Sequence, residues 1–184
     1  MSQRDSGYER KERDLYETPS WVTYALVPHI PMRVRLIWEP AQGGGKMVNA
    51  LKEMVDDARI YGTDIETGQD FMCTGGPLGC EAVITNPPYE LATEFIKRAL
   101  EVVKPERGFV AMLLRTDFDH AKTRQDLFGV NSTFSRKVVL TKRIKWFEDS
   151  TGSPSFNHAW YLWDYTHQGP PTLAYGPNSS GDQK

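Results

Sequence analysis

Short apolar runs alternate along this chain with segments whose apolar residues recur every three or four positions. The first pattern is typical of buried strands and the second of amphipathic helices. Strands are predicted near residues 34–38, 59–63, 81–85, 108–114, 138–140 and 159–163, and helices near 19–29, 47–55 and 91–103, with residues 116–128 helical or looped. Because strands and helices alternate over the first two thirds of the chain, we expect an α/β fold with a largely parallel sheet.

Little helical pattern separates the last two predicted strands, so they are expected to close the sheet as an antiparallel hairpin.

The domain boundaries follow from changes in composition. A chain of 184 residues suffices for one core, and a single domain is expected over residues 15–166. Residues 1–14 are highly charged and are predicted to be a loosely packed polar segment. Residues 167–184 are rich in Gly, Pro, Ser and Asn and are predicted to be a disordered tail.

Composition narrows the class of protein without identifying it. Hydrophobic residues make up 39% and charged residues 25% of the chain, as in ordinary globular proteins. No apolar stretch approaches the roughly 20 residues of a membrane-spanning helix, and the charged N-terminus is unlike a secretory signal. Cys73 and Cys80 are too few for a disulfide framework and have no nearby His for a zinc site. We expect a cytoplasmic protein with reduced thiols, no metal and no membrane partner.

Charge is unevenly distributed along the chain. The formal net charge is −2, but residues 97–145 hold twelve Lys or Arg against five Asp or Glu, a net charge of +7. The remainder holds ten basic and nineteen acidic residues, a net charge of −9. A basic stretch in an acidic protein is a candidate phosphate-facing surface. Scattered solvated charges explain any single residue of that stretch equally well.

A glycine-rich loop, Glu39-Pro40-Ala41-Gln42-Gly43-Gly44-Gly45, follows the first predicted strand. Glycines there let the backbone approach a ligand closely and leave the amides at the start of the next helix open. The loop lacks the spacing and the Lys-Ser/Thr ending of a phosphate-binding loop, so no nucleoside-triphosphate site is expected. Asp64 ends the next strand, where a carboxylate can accept from both hydroxyls of a ribose or can cap a helix.

The tetrapeptide Asn86-Pro87-Pro88-Tyr89 ends the strand predicted at 81–85. Two consecutive prolines remove two backbone N–H groups and hold the chain stiff and extended, so the strand cannot continue. The carbonyls and the Asn86 side chain can accept hydrogen bonds, and Tyr89 offers a flat ring. This combination suits a planar base with an exocyclic amine, and a Pro-rich turn before a helix is the simpler alternative.

Asn-Pro-Pro-Tyr resembles the catalytic motif of the S-adenosylmethionine-dependent amino-methyltransferases, which include N6-adenine DNA methyltransferases, RNA methyltransferases and the glutamine methyltransferases of release factors. The glycine loop resembles the cofactor loop of that family, and Asp70-Phe71 its adenine-binding pair. Tyr16-Glu17-Thr18-Pro19 resembles the motif that precedes this loop in N6-adenine enzymes. The motifs follow the family's order over roughly residues 15–165. The resemblance implies a Rossmann-like seven-stranded methyltransferase sheet, mostly parallel, with a closing antiparallel hairpin and helices on both faces.

The resemblance also implies a cofactor, S-adenosyl-L-methionine, and residues to bind it. Its methionine part would lie against the Thr-Pro segment and the glycine loop, its ribose against Asp64, and its adenine against Asp70 and Phe71. The implied cofactor site comprises Tyr16, Thr18, Pro19, Glu39, Pro40, Ala41, Gly43, Gly45, Asp64, Ile65, Asp70 and Phe71. The implied catalytic residues are Asn86, Pro87, Pro88 and Tyr89. Asn86 Oδ1 and the Pro87 carbonyl would accept from the amine, and Tyr89 would stack on an extruded base.

Substrate contacts are expected late in the chain. A second aromatic wall for the base is predicted at Trp146 or Phe147, and core packing is an equal alternative for both residues. His158 is expected to be structural. The candidate phosphate contacts are Arg115, Lys122, Arg124, Arg136, Lys137, Lys142, Arg143 and Lys145.

The leading hypothesis from the sequence is a small N6-adenine methyltransferase of phage-related or orphan type, acting on double-stranded DNA. RNA adenine or a protein glutamine is the alternative substrate, and a catalytically inactive relative that binds nucleic acid is a third interpretation. Sequence-specific DNA methyltransferases usually carry a separate recognition region, for which few residues remain after Leu114. Little sequence discrimination, a homodimer, and short recognition loops such as residues 117–135 are the alternatives left open.

Overall fold

The computed structural model describes residues 16–129, 132–146 and 156–177. Its strands are β1 (Leu36–Glu39), β2 (Arg59–Gly62), β3 (Ala82–Thr85), β4 (Phe109–Arg115), β5 (Phe134–Leu140), β6 (His158–Asp164) and β7 (Thr172–Gly176). Its α-helices are α1 (Ser20–Leu26), α2 (Lys46–Met54), α3 (Ala92–Val103) and α4 (Gln125–Phe128), and short 3₁₀ turns occupy several connections. Every strand and helix predicted from the hydrophobic pattern is present within a few residues of its expected place.

The strands form one sheet of seven, in the order β2-β1-β3-β4-β6-β5-β7. β1 to β4 are parallel, β6 is antiparallel to both β4 and β5, and β7 is parallel to β5. The predicted fold class is thus confirmed, including the antiparallel closure by β5 and β6. The strand order reverses at β1, whose neighbours are β2 and β3. In open α/β sheets, ligands bind at the carboxyl ends of the strands at such a switch point.

The core lies on both faces of the sheet, and β4 contributes alternate residues to each face. One face receives Phe109, Ala111 and Leu113, and the other receives Val110, Met112 and Leu114. The first set packs with α1 and α2, and the second with α3 and α4. A strand buried on both faces must be apolar at every position, which explains the unbroken apolar run in the sequence. Helices therefore cover both faces, as predicted.

The C-terminal part of the chain differs from the prediction. Residues 167–184 are predicted to be a disordered tail, but Thr172–Gly176 forms β7 on the edge of β5. Ala174 packs against the core, and Gly176 is buried close to Ala25. The prediction is wrong for this strand because pairing with β5 satisfies backbone groups in a segment whose composition alone is that of a loop. The folded domain thus extends beyond residue 166. The segment predicted at 1–14 lies outside the described residues.

Two further observations concern only the three described ranges. No helix there is long and apolar enough to cross a membrane, and no group of three or more His, Cys, Asp or Glu side chains is arranged to hold a metal ion. Cys73 is exposed, Cys80 is buried, and both are free thiols.

Candidate active site

A cavity of about 490 Å³ lies where the loops after β1, β2 and β3 meet the segment before α1. From the predicted cofactor site, Tyr16, Thr18, Glu39, Ala41, Gly43, Asp64 and Ile65 line it, and so do Asn86, Pro87, Pro88 and Tyr89 from the predicted catalytic motif. Pro19, Pro40 and Gly45 neighbour these residues in sequence without lining the cavity. The parallel sheet explains the convergence, because it brings the carboxyl ends of its strands to one edge. The cavity volume is ordinary for a small-molecule site.

Asn86 has one end of its side-chain amide bonded and the other end open. Nδ2 donates to the backbone oxygen of Tyr16 at 3.2 Å. Oδ1 is buried and has no hydrogen-bond partner among the described residues. Pro87 and Pro88 follow without N–H groups, so the backbone here offers only acceptors. A buried oxygen without a donor is costly, and its presence at a cavity wall is expected where a ligand supplies the donor.

Tyr89 begins a 3₁₀ turn that leads into α3. Its hydroxyl lies 2.9 Å from Nε2 of His158, at the start of β6. The two ring planes are 27° apart and the centroids 6.1 Å apart, so the rings lie end to end across this hydrogen bond. Burial, assisted by the charge of Arg115, lowers the pKa of His158 to about 4. The imidazole is therefore neutral near pH 7.

Trp146, one of the two predicted aromatic walls, borders the site without lining the cavity. Its ring centroid lies 5.3 Å from that of Tyr16. It also meets His158 edge to face, with centroids 5.3 Å apart. Phe147, the other predicted wall, lies outside the described residues.

Glu39, the last residue of β1, is a buried acid at the cavity. Its side chain is 1% exposed, and Oε1 accepts from the Ala41 amide at 3.3 Å. Within the described ranges, Oε2 makes no well-formed hydrogen bond, although the Thr85 hydroxyl is close by. Burial raises the pKa of Glu39 to about 8, and the nearby charge of Asp64 adds to the effect. Glu39 therefore keeps its proton at neutral pH unless a cation enters the cavity.

Asp64 connects the end of β2 to the glycine loop. Its Oδ2 accepts from the Gly43 amide at 2.8 Å and its Oδ1 from the Glu66 amide at 2.9 Å. Each carboxylate oxygen can still accept a second hydrogen bond. Ile65 follows and lines the cavity with 67% of its surface exposed. A large apolar residue so exposed at a cavity offers a packing surface for the flat face of a ligand.

Two glycines of the loop, Gly43 and Gly45, take a positive φ, of 50° and 83°, which a side chain would strain. Gly45 also caps α2. At Gly44, a side chain would meet the end of the flexible Glu17 side chain, which would have to move. Glu17 in turn forms an ion pair with Lys46 at 2.8 Å. The loop after β1 and the segment before α1 are therefore joined beside the cavity.

Asp70 and Phe71 do not line the cavity, in contrast to the role that the resemblance implies for them. Phe71 is 2% exposed and packs in the core against Trp38 and Phe95. Asp70 uses Oδ1 to accept from the Met72 amide at 2.9 Å and so shapes the turn that follows. A buried aromatic side chain gains much from contacts with two neighbouring rings, which explains why Phe71 lies in the core.

Four of the predicted phosphate contacts are exposed at the carboxyl ends of β4 and β5. Lys142, Arg143 and Lys145 are exposed on the segment between β5 and Trp146. Arg115, exposed at the end of β4, lies 4.1 Å from the centroid of the Phe156 ring. These four side chains form what we call the basic rim: Arg115, Lys142, Arg143 and Lys145.

The other predicted phosphate contacts lie elsewhere or are used by the fold. Arg124 stacks at 3.9 Å on the ring of Phe118 and donates to its carbonyl, and Lys122 is exposed in the same turn. Lys137 forms a half-buried ion pair with Asp119 at 2.8 Å. Arg136 donates to the Thr172 hydroxyl at 2.9 Å, which links β5 to β7.

Sequence reasoning did not single out five cavity-lining residues: Glu17, Gln42, Lys46, Met47 and Glu66. All five lie inside or directly beside the motifs, so their positions in the sequence could have indicated that they lie near the site. The sequence does not indicate whether each side chain faces the cavity. Together with Glu39 and Asp64, they give the cavity four carboxylic acids against one lysine among the described residues. The cavity is therefore suited to a cationic ligand.

No family model and no curated protein matches this chain. Solved structures match it in fold. The methyltransferase subunit of a type I restriction-modification system from Streptococcus thermophilus aligns with a TM-score of 0.56 and 12% identity, over 87% of this chain and 47% of that one. A modification subunit of a putative type I restriction enzyme from Vibrio vulnificus aligns with a TM-score of 0.51 and 14% identity, over 92% of this chain and 48% of that one.

A third match is the type IIG restriction endonuclease BpuSI, with a TM-score of 0.53 and 13% identity, over 79% of this chain and 24% of that protein. This chain thus spans about half the length of the first two matched chains. Identities this low establish the architecture alone. The chain therefore shares the fold of the part of these proteins with which it aligns.

Proposed function

We propose that this protein is an S-adenosylmethionine-dependent methyltransferase that modifies the exocyclic N6 amine of adenine in DNA. Asn86 carries the proposal. Its Nδ2 is bonded to Tyr16, so Oδ1 stays at the cavity wall as a buried acceptor without a donor among the described residues. The carbonyl of Pro87 follows directly in the chain. An amine with two hydrogens can satisfy both acceptors.

The cavity fits S-adenosylmethionine in size, charge and donor set. Its volume of about 490 Å³ suits a ligand of this kind. Its excess of carboxylic acids favours a ligand that carries a sulfonium and an ammonium group. Glu39, whose Oε2 lacks a well-formed hydrogen bond, would accept from the ammonium group, and Asp64 would accept from the ribose hydroxyls. Ile65 would pack against the adenine ring, since Phe71 does not line the cavity.

The chemistry requires positioning more than base catalysis. When bound, the cofactor would supply an electrophilic methyl group, so that its S–CH₃ bond would break with the electron pair left on sulfur as the N–CH₃ bond formed. Asn86 Oδ1 and the Pro87 carbonyl accept the amine hydrogens, which draws the nitrogen lone pair out of ring conjugation and stabilises the positive charge that develops. Tyr89 stacks on the extruded base and limits its movement. The nitrogen then loses one proton to water.

DNA is the substrate that we favour. In the basic rim, Arg115 pairs with His158 in the sheet and Lys145 precedes Trp146 in the chain, so the rim can contact a phosphate backbone beside the site. Two of the matched structures are modification subunits of restriction systems, and the third is a restriction endonuclease. RNA adenine and a protein glutamine present the same amine geometry to Asn86, and direct comparison of substrates separates them.

The proposal is tested by methyl transfer from labelled cofactor to double-stranded DNA, tRNA, rRNA and release factor in parallel. We expect label at adenine N6 of DNA. Asn86→Ala is expected to reduce transfer by at least about 100-fold, since removing one transition-state hydrogen bond of this kind has such an effect. Cofactor affinity, measured by calorimetry, should be retained. Asn49→Ala, an exposed Asn on α2, is the matched control and should keep full activity.

Three outcomes would contradict this proposal at different levels. Label found only in RNA or in protein would exclude DNA as the substrate but would leave the proposed methyl transfer intact. Equal transfer by wild type and Asn86→Ala would remove the role of Asn86. A wild-type protein that binds no S-adenosylmethionine would not be a methyltransferase of this kind.

A further inference from the structure

A chain of contacts through Tyr16, Trp146 and His158 connects the first residue of the tetrapeptide to its last. Asn86 donates to the carbonyl of Tyr16, and the Tyr16 ring contacts Trp146. Trp146 meets His158 edge to face, and His158 is hydrogen-bonded to the Tyr89 hydroxyl. The backbone of the tetrapeptide joins Tyr89 back to Asn86. His158 is therefore the link between the aromatic group and the last residue of the motif.

The sheet holds His158 in this place. It is the first residue of β6 and pairs with Arg115 at the end of β4. The imidazole is 2% exposed, and β6 is buried along nearly its whole length. Tyr89, by contrast, lies in a short turn before α3. A hydrogen bond from a buried strand to a turn residue transfers the rigidity of the sheet to the turn.

Packing alone does not explain an imidazole at this position. Nδ1 of His158 is buried, and the nearby backbone of Phe156 makes no well-formed hydrogen bond with it. An apolar ring of similar size would fill the space without leaving a buried nitrogen unsatisfied. The nitrogen that is bonded, Nε2, meets the side chain that would stack on the substrate. The geometry thus favours a role through Tyr89.

We propose that His158 is a positioning residue that holds the Tyr89 ring in the orientation needed to stack on the target base. The inference rests on the proposed function, which supplies the base. Because the hydrogen bond holds the Tyr89 hydroxyl in place, it restrains rotation about the Cα–Cβ bond, which would carry the whole ring with it. Loss of the bond allows the ring to swing away from the stacking position. The amine is then less well aligned, and the rate of transfer falls while cofactor binding is unchanged.

A double-mutant cycle tests the proposal. Tyr89→Phe keeps the ring and removes the hydroxyl, and His158→Phe keeps a ring and removes Nε2. We expect each variant to lower kcat by about tenfold with the cofactor Kd unchanged, and the double variant to be no worse than either alone. His158→Gln, whose amide reaches the position of Nε2, should recover most of the rate. Losses that multiply in the double variant, or no recovery with Gln, would overturn the proposal.

Nitrogen-15 NMR of the imidazoles gives a readout that needs no activity. Tyr89→Phe, which leaves His158 intact, is expected to shift the Nε2 resonance of His158, assigned with His158→Gln. An unshifted resonance means that the contact is absent and overturns the inference, whatever the activity. A shifted resonance in a protein that methylates none of the four substrates would contradict the proposed function and support the contact between His158 and Tyr89.

Discussion

At the scale of single residues, the site is marked by incomplete hydrogen bonding. Glu39 Oε2, Thr85 Oγ1, Asn86 Oδ1 and His158 Nδ1 are all buried without a well-formed hydrogen bond in the part of the chain that the structure describes. Folded proteins pair most buried polar atoms, so four such atoms around one site are informative. Two of these residues line the cavity, where a ligand can supply what the protein lacks. The local loss of stability is of the kind that functional sites tolerate.

Glu39 is expected to make stability depend on pH. Its pKa is about 8 in the folded protein, against an ordinary value of 4.5. Below pH 4.5 both the folded and the unfolded chain hold the proton, and between 4.5 and about 8 mainly the unfolded chain loses it. Stability is therefore lost as the pH rises through this window. Glu39→Gln, which cannot ionise, should gain on the wild type by up to roughly 1.4 kcal/mol for each pH unit.

Urea unfolding of the wild type and Glu39→Gln across this pH window measures the effect. Glu66→Gln, at an exposed acid of the same cavity, is the control for a carboxyl-to-amide change without burial. A difference in unfolding free energy between wild type and Glu39→Gln that stays constant over the window would show that Glu39 is ionised in the folded protein.

Asp64 and Asp70 are expected to respond differently to the same substitution. Asp64→Asn should weaken binding of S-adenosylmethionine by at least about tenfold, because an amide nitrogen cannot accept from the ribose or from the Gly43 amide. Asp70→Asn should leave the affinity within about twofold, because Asp70 does not line the cavity. Calorimetric titration of both variants checks this. Equal weakening would restore the adenine-binding role that the resemblance implies for Asp70.

At the scale of elements, the hydrophobic pattern predicted the six strands from β1 to β6. It missed β7, which lies at the edge of the sheet with Leu173 and Tyr175 exposed. An edge strand shows little apolar alternation, because only part of it meets the core. Pairing with β5, more than side-chain burial, makes this segment a strand.

Removal of β7 is expected to destabilise the fold. A chain ending at residue 170 would expose the β5 edge and lose a five-residue ladder. We expect a loss of about 2 kcal/mol or more in the free energy of unfolding, from net contributions near 1 kcal/mol for each backbone hydrogen bond. A chain ending at residue 177 keeps β7 and is the control. Equal stability of the two truncated chains in urea would show that β7 contributes nothing.

At the scale of the whole molecule, acidic and basic side chains are separated in space more clearly than along the sequence. The cavity is acidic, whereas the basic rim lies beside it. Helices that follow parallel strands run back across the sheet, so Lys52 and Lys104, at the ends of α2 and α3, lie near the amino ends of the strands. The carboxyl ends of the strands thus combine an acidic cavity for a cationic cofactor with a basic border for an anionic polymer.

The salt dependence of DNA binding is expected to report the basic rim. Replacing Lys142, Arg143 and Lys145 by Gln should weaken duplex binding and lower the slope of log K against log salt by up to about 3, near 0.9 for each phosphate that the protein no longer neutralises. Lys52→Gln with Lys104→Gln is the control pair and should leave the slope unchanged. Fluorescence anisotropy at several salt concentrations measures both. An unchanged slope for the rim variant would exclude it from the DNA interface.

Much of the site could be predicted because its motifs act locally. The glycine loop, Asp64 and the tetrapeptide follow consecutive strands, and in a parallel sheet these positions meet at one edge. The position of the Phe71 ring could not be predicted in this way. An Asp-Phe pair has the same sequence whether its ring faces a ligand or the core, and here Trp38 and Phe95 provide the better-packed environment.

The sequence by itself determined the order of strands and helices, the stiff acceptor-only tetrapeptide and the glycine turn, because periodicity, a missing N–H and backbone freedom are properties of neighbouring residues. Tertiary structure alone decided that Asn86 donates to Tyr16, 70 residues away, that burial raises the pKa of Glu39 to about 8, and that His158 meets Tyr89. These properties depend on burial and on distances between segments far apart in sequence. The sequence thus carries the acceptors of the site, and the fold determines which of them remain open to a ligand.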